Sequence, residues 1–202
     1  MSVQPKNDVS PGEYLERERR ADHKSEYYAG EVFAMSGGSR RHSLIATNLA
    51  SELRTALKGT GCLVFNSDLR VYVAASGLYT YPDVSVVCGD ERYVDEEEDT
   101  LTTPVLIVEV LSPTTETYDR GQKFTFYRGL ESLREYVLVA QERRSVEVFR
   151  RNDAGRWELY EPDPEHGTVE LASVGCVLRL DEVYANVRFD GGGFRTGSPS
   201  GA

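Results

Sequence analysis

Two short apolar runs that each enclose a single acid constrain this chain most. In Val105-Leu106-Ile107-Val108-Glu109-Val110-Leu111 one carboxylate sits among aliphatic side chains, and Asp83 is set the same way in Tyr81-Pro82-Asp83-Val84-Ser85-Val86-Val87. A charge buried there without a partner is expensive, so each acid needs compensation or a task. β-branched and aliphatic runs of this length read as strands packed inside a sheet. The 25 residues from 84 to 108 leave room for strand, loop and strand, so the two acids can meet across neighbouring strands. Such a convergence of hard oxygens suits a divalent cation, and two carboxylates that close repel each other without one. Lys123 follows at the start of a helical pattern. Two acids and a lysine are the minimum set for metal-assisted phosphodiester hydrolysis. The same residues also allow a plainer arrangement, in which each acid pairs with a nearby Arg or Lys or caps a backbone.

At 202 residues the chain is long enough for one domain with a full core. It has no run of about 18 apolar residues, so no membrane span is expected. Residues 1–8 lack the apolar stretch of a signal peptide, which makes a cytoplasmic location the expectation. Cys62, Cys88 and Cys176 are far apart and odd in number, and are expected as small buried thiols rather than a disulfide or a zinc knuckle. The formal net charge of -10 argues against a non-specific grip on nucleic acid, which comes largely from Lys and Arg. Five acids crowd into Asp95-Glu96-Glu97-Glu98-Asp99. Arg40-Arg41-His42, and Arg143-Arg144 with Arg150-Arg151, can still build one local basic face.

The expected organisation is a loose tail over residues 1–9, one domain over 10–188, and a Gly/Ser-rich tail over 189–202. Ser10 reads as a helix N-cap, with Pro11 at the first position and Glu13 completing a capping box; this helix runs to about Arg20. Gly30 marks a tight turn between two short strands in 26–35. A helix over 41–58 carries Leu49, Leu53, Ala56 and Leu57 on one stripe and stops at Gly59. Strands are predicted over 62–73, 83–88 and 105–111, then a helix over 119–130. A hairpin of 135–140 with 145–150 and edge strands near 156–160 and 175–180 complete the chain. The order implies an α/β (α+β) fold with a mixed, largely antiparallel central sheet flanked by helices. It lacks the regular alternation of a Rossmann domain, and no GxGxxG, Walker lysine or GxSxG motif occurs.

Lys123 shares a helical face with Asp119 and Tyr127, where it can orient an attacking water or stabilise the transition state. Asp119 reads as the N-cap of its helix rather than a ligand. His42 opens the long helix, whose dipole favours a phosphate, although a surface histidine fits as well. Glu31 follows the Ala29-Gly30 turn and is either a third carboxylate or a partner for Arg40 or Arg41. Asp68 and Glu52 compete with it for the auxiliary role, while His23 and His166 carry no signal.

Several blocks in this order resemble the Uma2 family. They are Ala29-Gly30-Glu31-Val32-Phe33-Ala34-Met35-Ser36-Gly37-Gly38-Ser39 with Arg41-His42, then Ser67-Asp68-Leu69-Arg70-Val71, then Tyr81 to Val87. Val108-Glu109-Val110-Leu111-Ser112-Pro113-Thr114-Thr115 follows, then Tyr118-Asp119-Arg120-Gly121-Gln122-Lys123 with Tyr127, and Leu133-Arg134-Glu135-Tyr136-Val137-Leu138-Val139. The resemblance spans roughly residues 10 to 185. That family is assigned to the PD-(D/E)XK nuclease superfamily. The resemblance therefore implies a restriction endonuclease-like core, with Pro82-Asp83 as the first acid and Glu109 as the second. The superfamily lysine follows the second acid by two positions, where this chain has Leu111. The resemblance moves that role to Lys123, and Glu31 is preferred as the auxiliary acid with His42 beside it.

The leading expectation is a Mg2+- or Mn2+-dependent endonuclease acting on DNA. Asp83, Glu109 and the backbone carbonyl of Val110 would hold the ion, with Lys123 nearby. No separate recognition module is visible, so cleavage would be structure-directed or depend on a protein partner. The alternatives are a non-catalytic nucleic-acid or protein-binding module and a hydrolase of a small phosphorylated metabolite. A homodimer is also expected, because the edges of the hairpin and of the later strands are apolar and need cover.

Overall fold

The protein is described by a computed structural model over residues 8–162 and 167–189. His166 and most of both expected tails lie outside the described residues. Helix α1 (Pro11–Glu18) begins at Ser10, whose hydroxyl accepts the Glu13 N–H at 3.2 Å. Strands β1 (Ser25–Tyr28) and β2 (Glu31–Ala34) form a hairpin. Its two-residue turn, Ala29-Gly30, has φ of 49° and 83°, the positive pair that matches the twist of the strands. Glycine adopts this freely, whereas Ala29 does so at a steric cost of about 1 kcal/mol. Helix α2 (Arg40–Ala56) buries Ile45, Leu49 and Leu53 on one stripe.

The strand predicted over 62–73 is instead two, β3 (Cys62–Asn66) and β4 (Arg70–Val73). Asn66 causes the break. Its carbonyl accepts the Leu69 N–H and its side-chain oxygen accepts the Asp68 N–H, which closes a tight turn. Strands β5 (Leu78–Thr80), β6 (Val84–Cys88), β7 (Thr100–Leu101) and β8 (Leu106–Leu111) follow. The next helical segment comprises α3 (Glu116–Tyr118), a π-helical turn Asp119–Lys123, and α4 (Phe124–Tyr127). Then come β9 (Glu135–Ala140), β10 (Val146–Arg151), β11 (Trp157–Tyr160), β12 (Thr168–Leu171), a 3-10 turn Ala172–Val174, β13 (Cys176–Arg179) and α5 (Leu180–Val183).

The main sheet has the order β11-β10-β9-β8-β6-β3, and only β8 and β9 in it run parallel. A second sheet has the order β2-β1-β5-β4-β7, and β12 with β13 makes a separate ribbon. The fold is thus mixed α/β with a central mixed sheet flanked by helices. One face of that sheet, with Val84, Val86, Leu106, Val108 and Val110, packs on the α2 stripe. Ile107, Leu111, Tyr136 and Leu138 on the other face pack against Val71, Leu78 and Leu101 of the second sheet and against Tyr127. All six residues of β8 are buried, which is why its sequence is almost unbroken apolar rather than alternating. Each buried aliphatic contributes roughly 1.5–3 kcal/mol, so this strand can hold one acid that works against it.

The expectation of free thiols fails for two of the three cysteines. Cys62 and Cys88 are bonded as a disulfide, while Cys176 is a buried thiol. The antiparallel register of β3 on β6 sets Cys62 directly opposite Cys88. That adjacency exists only across the sheet, so their separation along the chain concealed it.

Candidate active site

The β6–β8 register pairs Val84 with Val108, and one further step places Asp83 opposite Glu109. With the two-residue period of a strand, Glu109 projects away from the α2 stripe, while Asp83, just before β6, reaches the N-terminal turn of α2 at His42. Asp83 Oδ2 accepts the Val110 N–H at 2.7 Å and lies 3.2 Å from His42 Nε2. Glu109 Oε1 accepts from the Tyr127 hydroxyl at 2.8 Å and lies 3.0 Å from Lys123 Nζ. The same ammonium is 3.1 Å from Glu26 Oε1 and 3.7 Å from Asp119 Oδ1. Asp83, Glu109, Val110, Lys123, His42, Glu26 and Asp119 all line one open cavity of about 920 Å3.

Local structure explains these placements. The π-helical turn widens the helix over Asp119–Lys123, as such turns often do at functional sites, and buries both end residues. Lys123 thereby reaches the cavity from a helix rather than from β8, where Leu111 belongs to the core. Asp119 is not the N-cap that its position suggests. The preceding turn starts at Ser112, whose carbonyl accepts the Thr115 and Glu116 N–H groups, so the helix begins earlier and Asp119 falls inside it. His42 is held by α2, whose N-cap Ser39 accepts the His42 N–H at 3.1 Å. A Cβ on Gly38 would stand 2.8 Å from His42 Nδ1, so glycine there leaves room for the imidazole.

Acid outweighs base in this cavity. Burial, with the charges of Asp119 and Asp83, pushes the Glu109 carboxyl up to about 8 against the opposing pull of Lys123. Burial also lifts Asp119 above its ordinary value. For Lys123 burial acts downward, but Glu109, Glu26 and Asp119 outweigh it and hold the ammonium protonated. Burial likewise opposes a charged His42. The hydrogen bond and charge of Asp83, helped by a bond to the Val110 backbone, raise it nonetheless.

Other candidates lie elsewhere. Glu31 lines a separate pocket with Val9, Tyr14 and Phe33. Asp68 pairs with Lys24 at the surface, and Glu52 is half-buried on α2, away from the cavity lining. The acid that does reach Lys123 from the hairpin is Glu26 on β1, which the sequence analysis passes over. The signal was present, because Glu26 is an acid inside the strand pattern Glu26-Tyr27-Tyr28. Gln141 also lines the cavity and was likewise missed. Among the described residues no three His, Cys, Asp or Glu side chains are arranged to hold a metal ion together.

The Uma2 family model, described as "Putative restriction endonuclease", matches residues 11–181. The chain belongs to the Uma2 family. Two relatives from Synechocystis sp. (strain ATCC 27184 / PCC 6803 / Kazusa) agree. The uncharacterized protein slr1290 is 38% identical over 90% of this chain and 94% of its own length. The uncharacterized protein sll1609 is 35% identical over 81% of this chain and 93% of its own length. The fold matches a crystal structure from Anabaena variabilis ATCC 29413, described as "a putative nuclease belonging to DUF820", with a TM-score of 0.68. That match has 20% identity and covers 86% of this chain and 96% of the other. Family and fold together place this Uma2 member among nuclease-like proteins.

Proposed function

We propose that this protein is a metal-dependent endonuclease that hydrolyses DNA phosphodiester bonds. The observation that carries this reading is the convergence of Asp83, Glu109 and Lys123 in one cavity, with the ammonium 3.0 Å from Glu109. The donors suit a hard divalent cation in kind. Four carboxylates, from Asp83, Glu109, Glu26 and Asp119, line the cavity near Lys123, and burial, with the charges of Asp119 and Asp83, pushes Glu109 up. Asp83 and Glu109 would hold Mg2+ or Mn2+, with the Val110 carbonyl as the third protein ligand. Such an ion supplies Lewis acidity toward the phosphate and lowers the pKa of water.

The chain's own residues do the rest. Lys123 stays protonated and donates hydrogen bonds toward charge that develops on the phosphate oxygens. Tyr127 fixes Glu109 from below through its hydroxyl. The Val110 N–H fixes Asp83, and His42 holds a proton at Nε2 beside it. The test is cleavage of single-stranded, double-stranded and branched DNA with Mg2+ or Mn2+. Activity is expected in the native protein and should be absent from Asp83→Ala and Glu109→Ala. Cleavage unchanged in both variants would end the assignment.

A binding-only module is the second reading, favoured by the net charge of -10 and by the lack, among the described residues, of a ready three-ligand cluster. Titration calorimetry with Mn2+ separates the two, since no binding at millimolar metal supports the module. We also propose a cytoplasmic location and a homodimer. No described helix is long and apolar enough to cross a membrane. Leu159 and Tyr160 are exposed on β11, the outer strand of the main sheet, and give the dimer an apolar edge. Light scattering that reads 22.6 kDa at all micromolar concentrations would defeat the dimer.

A further inference from the structure

The α2 end of the cavity differs in kind from its acid wall. Ser39 caps a 17-residue helix whose first turn carries no acid. Its hydroxyl accepts the His42 N–H at 3.1 Å and donates to Gln141 Oε1 at 2.7 Å. That second bond turns the Gln141 amide so that Nε2 is left over. Gln141 is only 4% exposed, yet it lines the cavity. Among the described residues no acceptor takes the Nε2 hydrogens. An amide donor without a protein acceptor, on a cavity wall beside a helix N-terminus, is matched to an anion.

We propose that Gln141 and the first turn of α2 bind a non-bridging phosphate oxygen of the substrate. The inference deepens the nuclease reading and rests on it for the substrate class, a nucleic-acid strand. The acid side of the cavity repels phosphate, because Glu109, Glu26 and Asp119 lie there and Asp83 borders it. The α2 end attracts it through the Gln141 amide, the helix dipole and His42 in the first turn. A chain of net charge -10 can in this way hold a phosphodiester with few Lys or Arg contacts.

The test compares the native protein with Gln141→Glu, which keeps the oxygen that Ser39 needs but turns the free donor into a repelling acceptor. Gln141→Met, similar in size, is the second variant, and thermal unfolding checks that each is folded. Steady-state cleavage of a short labelled oligonucleotide with Mn2+ should show KM raised about tenfold in both variants. The expected kcat stays within about threefold, and calorimetric Mn2+ binding is unchanged. If Gln141→Glu does not fold, Gln141→Met alone decides. Calorimetry with inorganic phosphate and with ribose 5-phosphate forms the other arm. Phosphate binding that Gln141→Glu abolishes, in a protein that neither binds nor cuts oligonucleotide, keeps the subsite and removes the nuclease reading. Equal KM in all three proteins, or no binding of any probe by the native protein, overturns the subsite.

Discussion

Glu109 on β8 and Glu135 on β9 are both buried acids on neighbouring strands, yet they are held in opposite ways. Glu135 is fully compensated. It accepts from Arg150 Nε at 2.7 Å, from the backbone N–H groups of Ala172 and Ser173 at 3.2 and 3.0 Å, and from the Ser173 hydroxyl. It ties the 3-10 turn after β12 to the main sheet. Glu109 shares one lysine with Glu26 and Asp119, faces Asp83, and lines an open cavity. The sequence shows a similar thing twice, an acid within an apolar strand at Glu109 and at the head of one at Glu135. What separates structure from function is whether the surroundings neutralise the charge or leave it short of positive partners.

The largest expected effects fall on that contrast. Glu109→Ala and Asp83→Ala should each lower DNA cleavage by about 100-fold or more. Glu109→Gln should leave the Tm at pH 7 unchanged or raised. An acid whose folded pKa lies above its unfolded one loses stability as pH rises between the two values, and the amide removes that loss. A Tm clearly lowered by Glu109→Gln would break the comparison.

Glu135→Ala should do the reverse, costing about 2–4 kcal/mol of stability in denaturant titrations because it strands Arg150 and two backbone donors. A loss below about 1 kcal/mol would show that this carboxylate is no better compensated than Glu109. Lys123→Met stands between the two cases. Three acids lose their shared cation, so stability should drop by about 1–3 kcal/mol and cleavage should disappear. Added Mn2+ should recover part of the stability and none of the cleavage.

The smallest effect concerns a third acid, Asp99. Its partial burial acts upward, but hydrogen bonds from Arg19, Thr100 and Arg70 hold its carboxyl well below the usual range. A depressed folded pKa contributes stability above the unfolded value near about 4 and loses it as pH falls below that. Asp99→Asn should therefore cost about 1 kcal/mol at neutral pH. The Tm gap to the native protein should narrow steadily below about pH 4. A gap that stays constant between neutral pH and pH 3 would show that the charge of Asp99 is idle.

Much of this was legible along the chain. The apolar runs revealed β6 and β8, because a strand buried on both faces cannot hide its composition. Gly30 marked the first hairpin and Ser10 the first helix, since turn and cap chemistry is local. What stayed hidden depends on neighbours in space. The pairing of Cys62 with Cys88 needs the register of β3 on β6. The division of residues 62–73 between two sheets turns on one asparagine. Glu31 was preferred to Asp68 and Glu52 from the order of motifs, whereas the acid that meets Lys123 is Glu26, on the other strand of the hairpin. Asp119 was misplaced because a wide helical turn has no sequence signature as plain as a cap.

Five of the cavity's titratable residues come from five separate stretches: Glu26 from β1, His42 from α2, Asp83 beside β6, Glu109 from β8 and Lys123 from the π-helical turn. A ribosome delivers these in order, and about a hundred residues pass between the first and the last. Lys123 must also leave the exit tunnel and its helix must dock on the sheet before the ammonium can meet Glu109. A chain that stalls or is clipped before that point carries acids without their cation, and no assembled centre. Whatever this cavity does to its substrate, the growing polypeptide has no assembled centre until Lys123 has left the ribosome.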